Sequence, residues 1–120
     1  MNTLKIGIAS RDAFKKRTMA IARGEYKPGK NDPKVWFESL ESLAQVLSDQ
    51  NRALLNLINE KHPQSLTELA EQSGREKSSL SRTLKNMERY GLVHFEEGPN
   101  RQLAPRVNYS GIELEVSFLG

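Results

Sequence analysis

The stretch GREKSSLSRTLKNMERYGLV, residues 74–93, decides how the rest of the chain reads. Leu80, Leu84 and Met87 recur at spacings of four and three, the period of a helix that buries one narrow stripe. The opposite arc holds Lys77, Ser78, Ser81, Arg82 and Lys85, with Ser79 on its flank. Serine is a mediocre helix former, because its hydroxyl competes for backbone hydrogen bonds. Three serines in the first turns therefore suit a helix whose outer face must touch something polar and closely spaced. The pattern predicts a helix from about Glu76 to Tyr90, and Gly91 fits the left-handed position beyond its last turn.

The flanking segments give this helix a setting. Ser48 caps a helix that runs to about Lys61, buries Leu54, Leu55, Leu57 and Ile58, and ends before Pro63. Ser65 and Glu68 fit a capping box, which opens a short helix from Leu66 to Gln72 with Leu66, Leu69 and Ala70 inward. Ser73 and Gly74 form a tight turn. Beyond the opening stretch, Leu92 to Glu97 reads as a strand, Gly98 to Arg101 as a turn, and Gln102 to Tyr109 as a second strand, irregular at Pro105. Helix, short capped helix, glycine turn, helix, strand, basic turn, strand is the order of a winged helix-turn-helix. Small hydroxyls let such a helix sit deep in a major groove about 12 Å wide, while arginine and lysine reach guanine edges or phosphates. Arg101 and Asn100 at the turn, with Arg106 on the returning strand, are then candidates for an adjacent phosphate or minor groove.

The run SLTELAEQSGREKSSLSRTLKNMERYGLVHFEEGPNRQ resembles the winged helix-turn-helix of MarR-like and ArsR-like transcriptional regulators. The shared features are the L-x-x-L-A pair of the short helix, S-x-L-S-R-T-L, and N-M-E-R-Y-G-L-V leading into the wing. The resemblance covers about half the chain, roughly Ser48 to Tyr109. It implies that Ser78, Ser79, Ser81 and Arg82 meet DNA and that Arg101 is the wing-tip arginine. A typical MarR-like protein carries long dimer helices at both ends. Here a strand and a basic helix lead and a strand ends the sequence, a layout similar to compact prokaryotic regulators, some of them antitoxins.

The outer segments are read from their own periodicities. TLKIGIAS (residues 3–10) alternates, with Leu4, Ile6 and Ile8 on one side of a strand. RDAFKKRTMAIAR predicts a helix in which Phe14, Thr18, Ile21 and Ala22 share a face and Lys15, Lys16, Arg17 and Arg23 mostly point elsewhere. Residues 24–30 spell the G-x-x-x-x-G-K skeleton of a phosphate-binding loop. Asn31 stands where a magnesium-holding hydroxyl belongs, Pro28 removes an amide, and a helical pattern precedes, so nucleotide hydrolysis is set aside. Asp32 and Pro33 read as a helix start. The helix expected after them carries Trp36, Leu40, Leu43, Ala44 and Leu47, widened by Val35, Phe37 and Val46. Near the end, Ile112, Leu114, Val116 and Phe118 alternate with Glu113, Glu115 and Ser117, a half-buried strand whose natural mate is the first strand.

The sequence thus predicts an α+β, mainly α fold in three parts. These are residues 1–47 (strand, basic helix and apolar dimerisation helix), 48–110 (winged helix-turn-helix) and 111–120 (C-terminal strand). The 120 residues carry a net charge of +3, unevenly spread. Residues 1–34 hold nine Lys/Arg against three Asp/Glu, which suggests an anionic partner. With no cysteine, disulfides and thiolate metal sites are excluded, and His62 and His94 lack ligand spacing, so no metal or cofactor is expected. No apolar run approaches a bilayer span, so a cytoplasmic protein is expected. No catalytic constellation is visible, so no enzyme is expected.

The expectation is a DNA-binding transcriptional regulator acting as a homodimeric repressor on double-stranded DNA. Lys77, Ser78, Ser79, Ser81, Arg82, Lys85, Asn100, Arg101 and Arg106 are its DNA-binding candidates. Trp36, Leu40, Leu43, Leu47, Ile112, Leu114 and Val116 are the dimerisation candidates. Two alternatives remain: an antitoxin that binds a toxin and autoregulates its operon, and a protein-interaction winged helix without DNA binding.

Overall fold

The computed structural model describes residues 2–118 and shows an α+β chain. In order, it runs β1 (Thr3–Ile8), α1 (Arg11–Ala22), β2 (Val35–Phe37), α2 (Leu40–Val46), α3 (Asp49–Lys61), α4 (Leu66–Ser73), α5 (Lys77–Arg89), β3 (Val93–Glu97), β4 (Leu103–Val107) and β5 (Gly111–Val116). Serine sets most of the helix starts. Ser10, Ser48 and Ser65 each accept from the backbone N–H three residues on, at Ala13 (3.1 Å), Asn51 (3.2 Å) and Glu68 (3.0 Å). Each such cap contributes about 1 kcal/mol. Among the described residues, no helix is long and apolar enough to cross a membrane.

The chain forms two compact units. The first is residues 45–110. Leu54 and Ile58 of α3, Leu69 of α4, and Leu80, Leu84 and Met87 of α5 bury their side chains with Leu92, Val93 and Ala104 of the hairpin region. Pro63 and Pro105 are also fully buried. Strands β3 and β4 pair antiparallel from Val93↔Val107 to Glu97↔Leu103, with Pro105 opposite Phe95. Proline is tolerated there because this sheet has two strands, and each strand has an edge that needs no donor. The capping box at α4 is offset by one residue. Glu68 accepts from the N–H of Gln64 (3.3 Å), the residue before the serine cap.

The second unit joins residues 2–44 to the C-terminal segment from Gly111. Its sheet has the order β2-β1-β5, and both pairings are parallel. The first and last strands therefore pair within one chain, in the register Leu4↔Ile112, Ile6↔Leu114, Ile8↔Val116. Leu4 and Ile6 are buried, and α1 supplies the crossover that a parallel β1–β2 connection requires.

The helix expected from Asp32 through Leu47 does not form as one element. Val35, Trp36 and Phe37 are strand β2, paired Ile6↔Val35, Gly7↔Trp36 and Ile8↔Phe37. A β-branched residue followed by two aromatics suits a strand, and the parallel partner stabilises it. The helix start lies further on, at Ser39. The Ser42 N–H donates to Ser39 Oγ (3.1 Å), and the Ser39 N–H donates to Ser42 Oγ (3.3 Å), a reciprocal cap made by two serines. Only Leu43 and Val46 of α2 are buried, whereas Leu40 is exposed and Leu47 half-buried. The seam of Trp36, Leu40, Leu43 and Leu47 proposed for dimerisation is therefore not one helical stripe, and Leu43 is already covered within the chain.

Asp32 also has another task. It accepts from Arg17 (3.3 Å) and, through a short hydrogen bond, from the Tyr26 hydroxyl. That hydroxyl is the main reason the Asp32 carboxyl is held below its ordinary value, and the same bond raises the Tyr26 phenol. The Arg17 guanidinium lies 4.9 Å from the Trp36 ring centre and 5.5 Å from that of Tyr26. Arg17 thus joins the aromatic cluster, where the sequence pattern predicts it pointing away from the Phe14 face, and pins the loop of residues 24–34 to α1.

Candidate nucleic-acid interface

Helix α5 is fastened before it presents anything. Gly74 ends α4 in the left-handed conformation (φ 74°), and its N–H donates to the carbonyl of Ala70 (2.9 Å). The chain then turns through Arg75, whose guanidinium donates to Asn51 Oδ1 on α3 (3.1 Å) and to Thr83 Oγ1 on α5 (3.2 Å). Asn51 in turn donates to the carbonyl of Val46 (3.0 Å). Two neutral acceptors on two helices thus hold one cation, and α5 is fixed in rotation as well as in position. Leu80, Leu84 and Met87, all fully buried, do the same from below.

What remains outside is a cationic and hydroxylic face. Lys77, Ser78, Arg82 and Lys85 are exposed, and Ser79 and Ser81 are half-buried. Lys77, Arg82 and Lys85 make no ion pair among the described residues. Along one flank, Ser79, Arg82, Thr83 and Asn86 border an open groove of about 370 Å³, with Gln45, Val46 and Asn51 as its other wall.

The hairpin ends in a tight tip. Pro99–Arg101 forms one 3-10 turn in which Asn100 (φ 58°) and Arg101 (φ 62°) are both left-handed. Asparagine adopts this conformation readily, whereas for arginine it is strained. The Gly98 N–H donates to the carbonyl of Gln102 (2.6 Å), and a β-carbon on Gly98 would lie 2.6 Å from the carbonyl oxygen of Gln64. Only glycine fits, so the base of the turn is seated on the chain entering α4. Asn100 and Arg101 project into solvent.

Residues 46–114, more than half of the sequence, match the family HVO_A0114. The chain belongs to the HVO_A0114 family. No curated protein and no solved structure matches it. The HVO_A0114 match includes all of α3 to β4, and with them α5, the Arg75 brace and the hairpin tip.

Of the nine residues singled out from the sequence, the HVO_A0114 segment presents six on α5 and two at the hairpin tip. Arg106 is the exception. Its guanidinium Nη1 donates to the carbonyls of Pro63 (2.8 Å) and Pro105 (2.7 Å), its Nε lies 3.9 Å from Glu96, and its side chain is 17% exposed. It ties the hairpin to the end of α3 and is not a DNA candidate. The hairpin also carries Glu96 and Glu97, so its cationic reach is confined to Arg101. Glu96 is engaged by His94 Nε2 (2.9 Å), while His94 Nδ1 contacts Asn108 Oδ1. These bonds, the one to Glu96 first, raise the His94 pKa above its ordinary value. Arg75 was not singled out from the sequence, because a basic residue in a polar turn carries no periodicity. Among the described residues no group of His, Asp or Glu could hold a metal ion.

Proposed function

We propose that this protein is a sequence-specific regulator of transcription that binds double-stranded DNA, and that α3 to β4 is a winged helix-turn-helix. In this reading α5 is the recognition helix and enters the major groove, while the β3–β4 hairpin is a wing that lays Arg101 along an adjacent phosphate or minor groove. One observation carries the reading. Among the described residues, Arg82 and Lys85 of α5 stand unpaired in solvent on the side away from three fully buried apolar side chains. Holding unpaired Arg82 and Lys85 on one face, with Ser78 and Ser81 beside them and Lys77 at the helix start, does little for folding and much for an anionic, hydrogen-bonding partner. Rotational locking by Arg75 adds the preorganisation that base reading needs.

Incubating the purified protein with sheared genomic DNA and sequencing what it retains tests the proposal. A recurrent sequence among the retained fragments is expected. Retention with no recurrent sequence contradicts specific recognition, and no retention at low salt contradicts DNA binding altogether.

A further inference from the structure

Within the second unit, α1, the loop of residues 24–34 and β2 border an open cavity of about 620 Å³. That volume suits one small organic ligand. Part of its lining is aromatic. Arg17 covers one side of the Trp36 indole, which leaves Phe14, 42% exposed and 6.3 Å from Trp36 between ring centres, as the ring on which a planar group can stack. Another part is cationic. Lys30 and Lys34 line the cavity, both are exposed, and among the described residues neither makes an ion pair. Asp32 lines it too, but its carboxylate is committed to Arg17 (3.3 Å) and to the Tyr26 hydroxyl. Arg17 offsets that charge, so the two lysines stand uncompensated. The backbone that carries them is held in place. The Asp32 N–H donates to the Gly29 carbonyl (3.2 Å), and the Lys34 N–H donates to the Lys5 carbonyl on β1 (3.0 Å).

We propose that this cavity binds a nucleoside monophosphate, its base against Phe14 and its phosphate at Lys30 and Lys34. Every nucleobase has a flat π-face that stacks on an aromatic side chain. A phosphate monoester carries close to two negative charges at neutral pH, which matches two unpaired ammonium groups, whereas a carboxylate answers only one of them. The same two lysines make the ligand a small anion and not a neutral aromatic. This is binding without hydrolysis. Lys30 closes the G-x-x-x-x-G-K skeleton, but Asn31 offers no hydroxyl for magnesium, and Pro28 has no N–H to give a phosphate cradle. The lysine side chains hold the phosphate in place of the loop backbone. The site lies in the unit that does not contain α5, and it does not rest on the DNA-binding reading.

Trp36 is the single tryptophan and lines the cavity, so its emission reports occupancy. Adenosine monophosphate titrated into the full chain, with no DNA present, is expected to change that emission saturably and to give matching heats in calorimetry. Adenosine and inorganic phosphate, which each carry half of the chemistry, should bind at least about tenfold more weakly. Lys30→Gln combined with Lys34→Gln should weaken the nucleotide by a similar factor and leave adenosine unchanged. Phe14→Leu should weaken nucleotide and adenosine alike. All three side chains are exposed, so the circular dichroism spectrum of each variant should match that of the unmodified protein. Unchanged emission and no heat at millimolar nucleotide overturn the site. Adenosine or inorganic phosphate binding as tightly as the nucleotide overturns the ligand class, and full affinity in the double lysine variant overturns the phosphate position. None of these readouts uses DNA, so their failure leaves the DNA-binding proposal standing, and the reverse also holds.

Discussion

Trp36 occupies the space that a β-carbon on Gly7 would need. A β-carbon there would lie 2.5 Å from the indole ring and 2.9 Å from Pro33 Cγ. The two residues are register partners across β1 and β2, and the indole edge fills the space beside the Gly7 backbone, with Phe14 6.3 Å away between ring centres. Gly7→Ala is expected to destabilise the unit by about 1–3 kcal/mol, the usual penalty for overfilling a packed site. Fluorescence of the single tryptophan during urea unfolding measures it. Trp36→Leu placed on top of Gly7→Ala should recover part of the loss. Equal stability of Gly7→Ala and the unmodified protein would contradict the packing described.

Arg101 and Arg106 lie five residues apart on one hairpin and should behave oppositely. Arg101→Ala should leave the melting temperature unchanged, weaken DNA binding, and lower the salt dependence of that binding by about one phosphate contact. Arg106→Ala should cost about 1–3 kcal/mol of stability, because the Pro63 and Pro105 carbonyls lose a charged donor in a part-buried setting. Calorimetry and fluorescence anisotropy separate the two effects. A reversed outcome, with Arg106 controlling affinity and Arg101 controlling stability, would contradict the assignment.

His94 gives the hairpin a pH dependence of definite sign. Its folded pKa is raised from 6.5, chiefly by the hydrogen bond to Glu96. The stabilisation is fully present below that unfolded value and is lost as pH rises through the higher folded one. The Glu96 pKa is lowered from 4.5, chiefly by His94, so its share is lost as pH falls through its folded value. The pair therefore supports the hairpin best in weak acid, between those limits. Both side chains are about half exposed, so the effect is small. Melting temperatures should decline slightly as pH rises above the ordinary histidine value of 6.5, and His94→Gln should flatten that decline. The same decline in His94→Gln would assign it to another group.

Residues 48–110 were largely legible because their signals are local. Ser48 and Ser65 announce helix starts, Gly74 and Gly91 announce stops, and Leu80, Leu84 and Met87 mark an inner face within one segment. Trp36 was misread because its determinant is a strand some thirty positions earlier. Val35 to Phe37 also runs on into the apolar pattern of α2, so one helix fitted both. Arg106 was misread for a related reason. A basic residue on a strand gives no sign that Pro63, 43 positions away, accepts from it. The same holds for Arg75, whose partner Asn51 lies 24 residues back. The serines of α5 stood out because serine is a mediocre helix former.

The most direct measurement is the affinity of the protein and of its Arg82→Ala, Lys85→Ala double variant for a retained genomic fragment, at one fixed salt concentration. Both residues are exposed, so the variant should keep the helical spectrum and melting temperature of the unmodified protein. The account predicts a loss of about 1–3 kcal/mol for each residue that contacts a base or a buried phosphate. Unchanged affinity in a well-folded variant would contradict the claim that this face of α5 enters duplex DNA.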